Sequence, residues 1–144
     1  METNFNFKSQ VCTDKNQSER LLALGLKKET ADMVYTNASL PYYKDVFHII
    51  CKEYSQLNKE VNYEISPFSF IPAWSLHRLW ELIPENIFTG VRNQWHRVMY
   101  NGVLTYEEGD DSLVSFREAN IYDRCISCIE WLIKEGYFNK EYLI

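Results

Sequence analysis

No apolar run in this 144-residue chain approaches the length of about 20 residues that spans a bilayer, and METNFNFKSQ lacks the apolar core of a secretion signal. Those absences argue against a membrane protein and lead us to expect a cytoplasmic one. Basic charge is also short. Fifteen Lys and Arg against 20 Asp and Glu leave a net charge of −5, which disfavours nucleic-acid and anionic-membrane surfaces, since both need clustered cations. Cysteine is sparse, and four residues without a secretion signal read as reduced thiols rather than a disulfide frame. The phosphate-loop pattern GxxxxGKS/T and the patterns GxGxxG, GxSxG and HExxH are all missing. Phosphate-loop, dinucleotide and familiar hydrolase mechanisms therefore have no support.

What the chain does have is rings. Ten Tyr, eight Phe and four Trp exceed what a small core hides completely, so some should lie half exposed, as they do in interfaces. The length fits one domain over residues 1–144, with 1–12 a polar leader expected to fray.

The element signals are local. Asp14 and Gln17 have the spacing of a capping box opening a helix through Leu24. Gly25 then stops it, and Leu26 folds back on Leu21. A second short helix, Lys28 to Met33, would make a helix–turn–helix corner. Asp45–Tyr54 (DVFHIICKEY) reads as a central strand covered on both faces, SQLNK as a turn, and VNYEI as another short strand. In IPAWSLHRLWELIP (71–84), Ser75 is placed to cap a helix and Trp74 and Leu79 to form its hydrophobic staple, with Pro84 ending it. Leu76, Leu79, Trp80 and Ile83 form its apolar stripe, expected to face the core, while His77, Arg78 and Glu81 face water. Asn101-Gly102 between VRNQWHRVMY and VLTYEE reads as a two-residue hairpin turn that puts Tyr100 opposite Val103 and His96 opposite Glu107. An acidic turn, Glu107 to Asp111, precedes a short strand at Leu113–Phe116. A last helix from Asn120 to Glu135 carries the stripe Tyr122, Cys125, Ile129, Leu132 and closes at Gly136. The order of elements is α+β: a small antiparallel sheet with an Asn-Gly hairpin, packed against three to four helices.

The candidates for chemistry have simpler explanations. Cys125 and Cys128 form a CxxC inside a helix rather than at its start, so they read as small core residues. Cys12 and Cys51 stand alone and the histidines are dispersed, so no metal site, cofactor or catalytic residue is assigned. His77 pairs with Glu81 one turn on, His96 faces Glu107 across the hairpin, and His48 lies on the central strand. DNA binding through residues 18–36 would need basic neighbours that Glu29 and Asp32 do not supply.

Three stretches, SERLLALGLKKETADM (18–33), IPAWSLHRLWELIP (71–84) and EWLIKEGYF (130–138), together resemble a family of short uncharacterised proteins of gut bacteria, their phages and mobile elements. The family runs LGL…TADM, PAWSL…LLELLP and WLLENGY in the same order, and this chain departs mildly, with Lys134-Glu135 where Glu-Asn is usual. The resemblance implies a single domain and a cytosolic, phage-type origin, and carries no known activity. The expectation is a non-enzymatic accessory protein acting through a protein partner or self-association, without membrane or nucleic acid. The alternative is a ligand-binding or enzymatic domain with a pocket between the 75–83 helix and the sheet, using His48, His77 or His96.

Overall fold

The computed structural model describes residues 9–36, 48–51 and 70–144. Helix α1 spans Lys15–Ala23, and both arms of its capping box are present: Gln17 N donates to Asp14 Oδ1 at 2.8 Å, and Asp14 N to Gln17 Oε1 at 3.0 Å. Gly25 stops the helix at φ +95°, where glycine has no Cβ to strain. The amides of Gly25 and Leu26 return to the carbonyls of Leu22 and Leu21, as in a Schellman motif.

The segment after Leu26 departs from expectation. In place of a second helix there is one 3-10 turn at Lys28–Thr30, and by Met33 the chain is strand β1 (Met33–Thr36). No helix–turn–helix corner forms. Tertiary bonds explain the change. The Trp74 indole donates to Thr30 Oγ1 at 2.9 Å, and Asp32 Oδ1 accepts from Ser75 N at 2.8 Å, so both residues are drawn onto the Trp helix instead of continuing a turn.

Two antiparallel sheets replace the single one expected. The first has the order β2-β1-β3, with β2 at His48–Cys51 and β3 at Phe70–Ala73. Among the described residues β1 is the central strand and β2 lies at the edge, where the sequence suggests a central strand at residues 45–54. Pro72 sits in the other edge strand, where a missing ladder donor is tolerated. The faces expected for residues 45–54, the turn SQLNK and the strand VNYEI lie outside the described residues.

The second sheet runs β4-β5-β6-β7: Asn86–Phe88, Gln94–Tyr100, Val103–Glu108 and Asp111–Phe116. β5 and β6 pair with Tyr100 opposite Val103 and His96 opposite Glu107. The two residues between them, Asn101 and Gly102, have φ of +44° and +76°, and both residues of a type I′ turn need positive φ.

Helix α2 (Leu76–Leu82) follows β3, and α3 (Ile121–Glu135) closes the fold. The core lies between the helices and the four-stranded sheet and includes Leu21, Trp74, Leu79, Leu104, Tyr106 and Ile129. α3 packs against α1, α2, β6 and β7 and is buried on more than one stripe, because Ile126 and Arg124 are hidden as well as Cys125 and Leu132. Arg124, 6% exposed, donates to the carbonyls of Glu118 and Ala119. The leader is not loose at its inner end. The Tyr122 hydroxyl donates to Gln10 O, Cys12 is fully buried, and Gln10, Gln17, Asn120 and Asp123 form one hydrogen-bonded cluster joining the starts of α1 and α3.

Candidate groove between helix α2 and strand β5

Helix α2 is positioned from both ends. At the start, Ser75 Oγ accepts from Arg78 N at 3.1 Å and donates to Asp32 Oδ2, while Arg78 Nη1 donates to Thr30 O. Ser75 and Asp32 are thus a cap, with the hydroxyl proton committed to the carboxylate. At the end, Ile83 takes the extended conformation that a following proline imposes. Arg97 of β5 supplies the donors the last carbonyls need. Its Nη1 binds Trp80 O and, at 2.6 Å, Ile83 O, and its guanidinium lies over the Trp80 ring 4.1 Å from the centroid.

The arginine clamp makes a prediction. Arg97→Met keeps the apolar length but removes two charge-assisted bonds and the stacked cation, so it should cost about 2 kcal/mol in urea unfolding. Arg97→Lys should restore less than half of that, because a point charge cannot fill the fork. Unchanged midpoints for both variants would contradict the clamp.

With α2 fixed, its stripe divides. Leu79 and Ile83 are buried, whereas Leu76 and Trp80 are only partly covered. They wall an open groove of about 330 Å³ together with His77 and Met99 of β5. The stripe faces the core as expected, with Leu79 and Ile83 inside it and Leu76 and Trp80 packed against it, but the last two keep an exposed side that walls the groove. Met99 and Arg97 were missed by sequence reasoning, although alternation on β5 places both on one face.

The histidines do not converge. His77 Nε2 pairs with Glu81 Oε1 at 2.5 Å, but its side chain is 82% exposed, so this acid–imidazole pair stands in water on the groove rim. His96 lies on the other face of β5 from Met99, and its Nδ1 meets Asn86 Oδ1, while Glu107 instead accepts from the Tyr100 hydroxyl at 2.6 Å. His48 falls in β2 opposite Thr36, and its side chain lies outside the described residues. No group of three or more His, Cys, Asp or Glu placed to hold a metal occurs among the described residues.

Cys125 and Cys128 are fully buried on α3. Loss of hydration pushes the Cys125 thiol up to about 12 and raises Cys128 as well, against the pull of nearby Arg97. Burial likewise raises Cys12, whose Sγ lies 3.7 Å from the Tyr35 hydroxyl. All three should resist alkylation in the native state at pH 8 and react on unfolding, as mass-mapped iodoacetamide labelling would show. A fast native reaction at Cys125 or Cys128 would contradict the packing. Because the folded Cys125 thiol titrates above its unfolded value of 9.0, its contribution to stability is intact below that pH and lost as pH rises toward about 12.

Among the described residues no helix is long and apolar enough to cross a membrane. Comparison with family models, with curated proteins and with solved structures finds no match to this chain.

Proposed function

We propose that this is a small, non-enzymatic binding protein of the cytosol, an accessory protein of the phage and mobile-element type, and that it engages a protein partner through the groove between α2 and β5. The observation that carries this reading is the groove lining: Leu76, Trp80 and Met99 present apolar surface, and the one ionisable group there among the described residues, His77, is turned to solvent with its partner Glu81. An apolar cleft whose indole is fixed by Arg97 suits an apolar side chain inserted by a partner, since a fixed wall loses little entropy on binding. The groove is open, whereas small-ligand sites usually enclose most of their ligand. The net charge of −5 and the lone 3-10 turn after α1 support a protein partner over nucleic acid.

The second reading, a small-ligand site, draws support from the same position between helix and sheet, and about 330 Å³ is at the low end of ligand pockets. Affinity capture from extract of the native cell separates the two. A Leu76→Ser/Met99→Ser variant that still unfolds cooperatively should retain about tenfold less of any captured protein than wild type, because two apolar anchors are lost. Equal capture would overturn the groove as the contact, and a small molecule seen by native mass spectrometry on wild type alone would favour the second reading.

A further inference from the structure

We draw no further inference here: the strongest candidate, the outer edge of β7 beside the acidic residues that run from Glu107 near the end of β6 to Asp111 at the start of β7, joins an acidic cluster to a strand edge, and nothing among the described residues shows what would cover it.

Discussion

Replacing Trp74 by Ala is expected to lower the free energy of unfolding by about 3–5 kcal/mol, the usual cost of emptying a large aromatic site in a packed core. Trp74 is fully buried and joins three separate parts of the chain. Its backbone exchanges bonds with Thr13, with Thr13 N donating to Trp74 O at 2.9 Å and Trp74 N to Thr13 Oγ1 at 3.0 Å. Its indole Nε1 reaches Thr30 Oγ1 at 2.9 Å. The backbone bonds survive the substitution, so the loss measures the ring and its donor. Trp74→Phe separates those contributions. It keeps most of the apolar surface, and the Thr30 hydroxyl still donates to Lys27 O at 2.7 Å, so no donor is stranded and the cost should fall to about 1–2 kcal/mol. Urea unfolding followed by circular dichroism checks both values. A Trp74→Ala midpoint equal to wild type would mean the ring is not part of the core.

The second large effect concerns α2. Leu79→Ala should cost about 2–5 kcal/mol, since Leu79 is fully buried in the cluster that includes Ile83 and Leu104. His77→Ala, two residues away, should stay within about 0.5 kcal/mol, because its contact with Glu81 is exposed and such i, i+4 pairs contribute little. The contrast fixes the rotation of the helix. Similar midpoints for the two variants would turn α2 about its axis and undo the groove with it.

Signals contained within one turn or one helix were legible in the sequence. Asp14, Gln17 and Gly25 set the ends of α1 through bonds to neighbouring backbone, so no distant residue had to be known. Asn101 and Gly102 work the same way: positive φ at both closes a two-residue loop, and the β5–β6 register follows from it. Three of the short strands were not legible. β1, β3 and β4 have three or four residues each, and β1 pairs Met33 with both Cys51 and Ala73, partners that local propensity cannot name. Pro72 further disguised β3. The residues at Lys28–Met33 were misread because Thr30 and Asp32 obey bonds from Trp74 and Ser75 rather than their own helical preference.

The candidate site was half legible for a related reason. Helical periodicity put Leu76, Trp80 and Leu79 on one stripe, but it cannot say which of them a second element covers. That depends on where β5 crosses α2, and so on Arg97 and Met99. The sequence placed those two on one strand without saying which helix lies over them.

The most direct test of the groove uses its own rim. A photo-crosslinking residue in place of His77, which is 82% exposed and carries no core contact, can be compared with one in place of Arg20 on the exposed face of α1. Irradiated in extract of the native cell, the protein should form a discrete adduct from position 77 and none from position 20. Adducts from both positions alike, or from position 20 alone, would show that α2 and β5 do not form the binding surface.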